Sequence, residues 1–208
     1  MIAPPAPAAV IRILALGDSY TIGEAIAADA SWPVRLAAAL RAAGHDVAAP
    51  RVIARTGWTA DELSAAIDGA RLESPFDLVT LLVGVNDQYR GHSVESFRPR
   101  FRALVARAVA FAGGRAGRVI VVSIPDWAVT PFAEGRDRAR IAAEIDAYNT
   151  VVRDEAGRAA VRYADVTPAS RRADRAPWLV APDGLHPSGD MYAAWASLII
   201  PLAEAALE

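Results

Sequence analysis

The chain has 208 residues, of which 53% are hydrophobic, 22% charged and 7% aromatic, and its formal net charge is -2. That balance excludes a disordered or low-complexity chain, and a globule of this size buries roughly 70% of its unfolded surface without needing disulfide or metal staples. All 22 basic residues are arginines scattered along the sequence, so the basic field of a nucleic-acid binder is not expected. The absence of lysine removes Schiff-base chemistry and lysine-dependent phosphate loops. The absence of cysteine removes thiol catalysis, disulfides and cysteine-ligated metals, and no cluster with metal-ligand spacing appears.

In chain order, Met1 to Ala9 is an Ala/Pro-rich stretch without a basic region, read as a short frayed tail ahead of one domain over residues 10–208. No apolar run reaches 18 residues, so no membrane span is expected, and the default location is cytoplasmic. Short apolar, β-rich runs predict strands at Val10–Leu16, Val47–Ala54, Asp77–Val83, Arg118–Ile124 and Val161–Asp165. Between them lie helical periods. One face is Leu63, Ala66, Ile67 and Ala70; a second is Phe97, Phe101, Leu104, Ala108 and Phe111. A third is Ile141, Ile145, Tyr148 and Val152, and the last is Tyr192, Trp195, Ile199 and Leu202. Caps agree with the periods. Thr59-x-x-Glu62 is a capping box with Trp58 and Leu63 as its hydrophobic staple, Ser31 stands before a helix ending near Gly44, and Asp137 before one ending near Gly157. Alternating helices and non-alternating apolar strands predict a three-layer α/β/α domain around a five-stranded parallel sheet.

Binding sites in such folds lie beyond the carboxyl ends of the strands, which selects four segments. Gly17-Asp18-Ser19-Tyr20 follows strand one, Arg55-Thr56-Gly57-Trp58 strand two, and Gly84-Val85-Asn86-Asp87 strand three. Asp183-Gly184-Leu185-His186-Pro187 precedes the last helix. A serine hydroxyl is a weak nucleophile that needs a base, which in turn needs an orienting acid. Of His45, His92 and His186, only His186 has a carboxylate three residues upstream, Asp183. Pro187 favours extended backbone at His186, with Ser188 placed to cap the helix that follows. Gly57 offers an unobstructed backbone N–H, and Asn86 a side-chain amide. With the Ser19 N–H they supply three oxyanion donors, each worth about 3 kcal/mol of transition-state stabilisation.

Taken one at a time, each segment reads as an ordinary capped turn or loop. Together and in order, they resemble the signature blocks of the SGNH hydrolases, the GDSL esterase/lipase family, from Gly17 to Pro187. The resemblance implies a flavodoxin-like SGNH hydrolase fold and serine esterase activity through an acyl-enzyme, with no cofactor or metal. It implies Ser19 as nucleophile, His186 as general base, Asp183 as its orienting acid, and Ser19, Gly57 and Asn86 as the oxyanion hole. Tyr20 stands where the family has leucine, a non-catalytic position. The chain lacks the glycine two residues after serine that marks the α/β-hydrolase elbow.

The compact chain points to small or short-acyl esters, with Tyr20, Trp58, Trp127 and Phe132 as expected pocket residues. Thioester, lysophospholipid and sugar-acetyl hydrolysis use the same machinery, and a non-catalytic ligand-binding α/β domain is the reading from another class. His45, His92 and the arginines at 171, 172 and 175 read as solvated surface. The loop Pro125–Gly135, with Trp127, Val129 and Phe132, reads equally as pocket wall or as packing.

Overall fold

A computed structural model describes residues 10–208; the tail expected over residues 1–9 lies outside the described residues. Five parallel strands, β1 (Ile13–Asp18), β2 (Arg51–Arg55), β3 (Leu78–Leu82), β4 (Val119–Val122) and β5 (Arg162–Ala164), form one sheet in the order β2-β1-β3-β4-β5. Helices α2 (Trp32–Ala42) and α8 (Gly189–Leu207) pack together on one face. The other face carries α3 (Ala60–Gly69), α5 (Val94–Phe111) and α6 (Arg138–Arg158), giving the three layers that the strand–helix alternation predicts. Short helices α1 (Ser19–Ile22), α4 (Val85–Tyr89) and α7 (Thr167–Ser170) begin at or just beyond strand ends.

The strands β1, β3 and β4 are buried throughout, as a sheet covered on both faces requires. The outer strands β2 and β5 are only partly buried because each has a neighbour on one side alone. The core faces of the helices fall largely where their periods put them: Leu63, Ile67, Phe97, Phe101, Leu104, Ala108, Ile141, Ile145, Tyr148, Val152, Tyr192, Trp195 and Ile199 are buried, while Ala66, Ala70, Phe111 and Leu202 are half-buried against the core.

The strand bounds shift by one to four residues from expectation, and three departures have a local reason. The second strand opens at Arg51 rather than Val47, with Val47 making only an isolated bridge to Ile11. Pro50, which has no N–H to give a ladder, stands between them. Ser31 occupies the position before α2 but makes no cap bond. Pro33 in the first turn offers no N–H, and the Ser31 hydroxyl donates to the Ala28 carbonyl instead. The first strand continues two residues past Leu16, pairing Gly17 with Ala54 on one side and Leu82 on the other, and Asp18 with Arg55.

That extension is possible only with glycine at position 17. A Cβ there would sit 2.1 Å from Thr21 Oγ1 and 2.5 Å from the Leu82 carbonyl oxygen. Gly17→Ala is expected to force the β1–β3 pair apart just before Ser19 and to cost about 2 kcal/mol. A lowered urea midpoint in that variant would register the clash; an unchanged midpoint would mean the neighbours yield.

Candidate active site

The order β2-β1-β3 makes the loops after these three strands neighbours. The crossover direction changes at β1, the switch point where sheets of this order bind ligands. After β1, Asp18 caps α1 by accepting from the Tyr20 N–H at 3.0 Å, so the backbone turns sharply and Ser19 opens the helix. After β2, the Trp58 N–H donates to the Arg55 carbonyl at 3.2 Å across a turn with Gly57 in third place. Its φ of +82° is the left-handed value a type II turn requires there. Arg90 fastens this turn by donating to the Gly57 carbonyl at 2.6 Å while pairing with Glu62.

After β3, α4 sends two consecutive side chains across to the neighbouring loop. Asn86 Nδ2 donates to the Trp58 carbonyl at 2.9 Å, and Asp87 Oδ2 accepts from the Ala60 N–H at 2.8 Å. The capping box predicted from Thr59 and Glu62 is complete immediately beside them. A primary amide has two N–H groups, so Asn86 retains one beyond its bond to Trp58.

The fourth segment is a small antiparallel hairpin. Val180 bridges Pro187, the Ala181 N–H donates to the His186 carbonyl at 2.7 Å, and the Ser188 N–H to Leu179 at 2.9 Å. Ser188 caps α8 by accepting from the Met191 N–H. Asp183 Oδ1 accepts from the His186 N–H at 3.0 Å, and its Oδ2 lies 2.5 Å from His186 Nδ1. Burial alone would push the Asp183 carboxyl up. The hydrogen bonds from the His186 ring and from the Leu185 and His186 N–H groups outweigh it and hold the group below its ordinary value.

Ser19, Gly57, Asn86 and His186 face one cavity of about 160 Å³. Tyr20, Trp127 and Phe132 also line it; Trp58 does not. The indole of Trp58 packs partly into the core, and its contribution here is the carbonyl that Asn86 binds. Tyr89, Val85, Thr56 and Leu185 complete the lining without having been singled out from the sequence. Tyr89 lies three residues beyond Asn86, a spacing that shares one face only if the segment is helical. Read as a simple turn, Gly84–Asp87 hides it. Tyr20 packs its ring 5.4 Å from the His186 ring and 6.2 Å from Trp195. The remaining histidine near the site, His92, is half-exposed, with Nδ1 3.2 Å from Asp87 Oδ1.

Behind Ser19, Asp18 is fully buried and its Oδ2 has no hydrogen-bond partner among the described residues. Burial, with the Asp87 charge adding to it, pushes the Asp18 carboxyl up to about 8; burial likewise raises Asp87. Unfolded, Asp18 ionises near the ordinary value of 3.8, so between that value and about 8 only the folded chain holds the proton. Folding therefore loses stability as pH rises through this window. Asp18→Asn, which keeps the acceptor for the Tyr20 N–H but cannot ionise, is expected to gain stability relative to wild type between pH 5 and pH 8. Urea midpoints at the two pH values check this, and parallel shifts in both proteins would refute it.

Among known proteins, the sequence model of the GDSL-like Lipase/Acylhydrolase family matches residues 15–194. The fold is similar to that of TesA (TM-score 0.73, 19% identity, 94% of this chain and 99% of that one). It is also similar to Axe2, an acetylxylan esterase from Geobacillus stearothermophilus (0.71, 19%, 93% and 94%), and to the psychrotrophic esterase EstA from Pseudoalteromonas sp. (0.71, 16%, 93% and 96%). No functionally curated protein matches the sequence. With the family match spanning all four post-strand segments as far as α8, the chain belongs to the GDSL-like lipase/acylhydrolase family and is a carboxylic ester hydrolase of the SGNH/GDSL type.

Proposed function

We propose that the protein hydrolyses small or short-acyl carboxylic esters through an acyl-enzyme formed on Ser19. The observation that carries this reading is the single cavity shared by Ser19, Gly57, Asn86 and His186, with Asp183 2.5 Å from the far ring nitrogen of His186. Asp183 Oδ2 accepts the Nδ1 proton and so fixes the tautomer in which Nε2 is the base. As substrate enters, Nε2 takes the Ser19 proton and Oγ attacks the ester carbonyl. The oxyanion is held by the Ser19 N–H, the Gly57 N–H and the second N–H of Asn86. His186 then protonates the departing alcohol, and the reverse sequence with water releases the acid and frees Ser19.

Preorganisation supports the oxyanion assignment. Asn86 is oriented by the Trp58 carbonyl, and Gly57 is clamped between the turn bond and Arg90 before any substrate arrives. Donors fixed in this way need no reorganisation as charge develops, which is where such groups gain their catalytic effect. A cavity of about 160 Å³ suits a compact ester group rather than a long acyl chain.

The related esterase EstA was captured inhibited by monoethylphosphonate, and a p-nitrophenyl phosphonate is the corresponding probe here. Intact mass after treatment is expected to show one adduct on wild type and none on Ser19→Ala or His186→Ala. No adduct on folded wild type would overturn the activated serine. Asn86→Ala is expected to lower kcat by roughly 10²–10³-fold, and an unchanged kcat would remove Asn86 from the oxyanion hole.

A further inference from the structure

Three of the aromatic side chains lining the cavity come one from α4 and two from the loop after β4. Tyr89 ends α4, while Trp127 and Phe132 lie in 3-10 turns, Trp127–Val129 and Pro131–Ala133, after β4. Their ring centroids lie 5.6, 5.8 and 6.1 Å apart, and two of the pairs meet edge to face. Trp127 is buried and anchored: its Nε1 donates to Gln88 Oε1 at 2.9 Å, and Gln88 Nε2 donates to Glu144 at 2.7 Å. Phe132 and Tyr89 are more open, at 38% and 49% exposure, and would rotate freely without a restraint.

That restraint is Arg136. Its guanidinium carbon lies 4.9 Å from the Phe132 centroid, 5.4 Å from that of Tyr89 and 5.5 Å from that of Trp127, and Nη2 reaches the Tyr89 hydroxyl at 3.4 Å. Among the described residues Arg136 has no carboxylate partner, so the rings are its principal contacts. Arg136 sits in the adjoining groove rather than in the ester cavity; Tyr89 and Trp127 face both.

We propose that Tyr89, Trp127 and Phe132, held in register by Arg136, form a preformed subsite for a benzene-sized aromatic group of the ester, with Arg136 the positioning residue for that selectivity. The inference rests on the reading of the 160 Å³ cavity as the ester site, which all three rings line beside Ser19 and His186. Three ring faces and edges at fixed spacing also discriminate by more than size. Aromatic pairs exceed equal-area aliphatic contacts by roughly 2- to 12-fold in affinity. A saturated ring of the same volume fills the space but has no quadrupole to match.

Two substrate pairs separate ring character from size and leaving-group chemistry: benzyl acetate against cyclohexylmethyl acetate, and ethyl phenylacetate against ethyl cyclohexylacetate. Wild type is expected to prefer the aromatic member of at least one pair by about 5-fold in kcat/KM, expressed in KM rather than kcat. Arg136→Gln should reduce that preference below about 2-fold, while Arg136→Lys, which keeps a cation over the rings, should retain it. Ratios within 2-fold for both pairs in wild type, or an Arg136→Gln variant that keeps the wild-type preference, would overturn the subsite. Turnover of p-nitrophenyl acetate with neither pair hydrolysed would also overturn it. Turnover of none of these esters would instead overturn the short-ester reading on which it rests.

Discussion

The site depends on two consecutive side chains that tie the loop after β3 to the loop after β2. Asn86 bonds the Trp58 carbonyl and Asp87 the Ala60 N–H, so that α4 and the start of α3 are held as one unit around Gly57. β1 lies between β2 and β3, so both bonds join loops whose strands are two apart in the sheet. The Ala60 N–H is one of the donors that a helix leaves unsatisfied in its first turn, and a buried carboxylate is a strong acceptor for it. One helix start is thereby satisfied from a neighbouring loop, and Gly57 and Asn86, the proposed oxyanion donors, are aligned in the same stroke.

Satisfying that donor has a cost, borne at Asp18 and Asp87. Burial raises the proton affinity of both carboxyls, the Asp87 charge adds to it at Asp18, and Asp18 carries one oxygen with no partner among the described residues. A buried polar atom left unpaired is destabilising, and such atoms concentrate where function constrains the chain. Asp18 is held there by its bond to the Tyr20 N–H, which bends the backbone from strand into helix within one residue and presents Ser19 at the cavity. Tyr20, standing where the family has leucine, takes the ring space beside His186 and Trp195. It extends the aromatic surface of the cavity to the imidazole itself.

Much of this was legible in the residues because it is local. The capping box at Thr59 and Glu62, the Ser188 cap of α8 and the Asp183–His186 spacing are all set within a few positions, and short-range sequence carries them. The four-segment pattern also pointed to the family, since parallel topology brings every post-strand loop to the same edge. What escaped depends on partners distant in sequence. Tyr89 meets Trp127 and Phe132 across some forty residues, and Trp58 turns its indole from the cavity while its carbonyl answers Asn86. Ser31 makes no side-chain cap because Pro33, two residues on, lacks an N–H and the hydroxyl turns to the Ala28 carbonyl.

The two halves of the cavity are built by different means, and this separates what chemistry requires from what selectivity can vary. Ser19, Gly57 and Asn86 stand on loops of three hydrogen-bonded neighbouring strands, so a shift in one is transmitted to the others through the sheet. Two of the three wall residues, Trp127 and Phe132, hang from the loop after β4, rooted by Asp126 accepting from the Ala128 N–H and by the Ser170 hydroxyl that accepts the Asp126 N–H. That loop joins the catalytic side at the Phe132 N–H, which donates to the Gly184 carbonyl at 2.9 Å within the Asp183–His186 hairpin. A rearrangement of the wall therefore reaches His186 through the Phe132–Gly184 backbone bond, and reaches Asn86, a proposed oxyanion donor, through α4, which carries Tyr89 and whose Gln88 holds Trp127. Loops supported in this way can change the group they accept while the strand ends keep the geometry of the reaction.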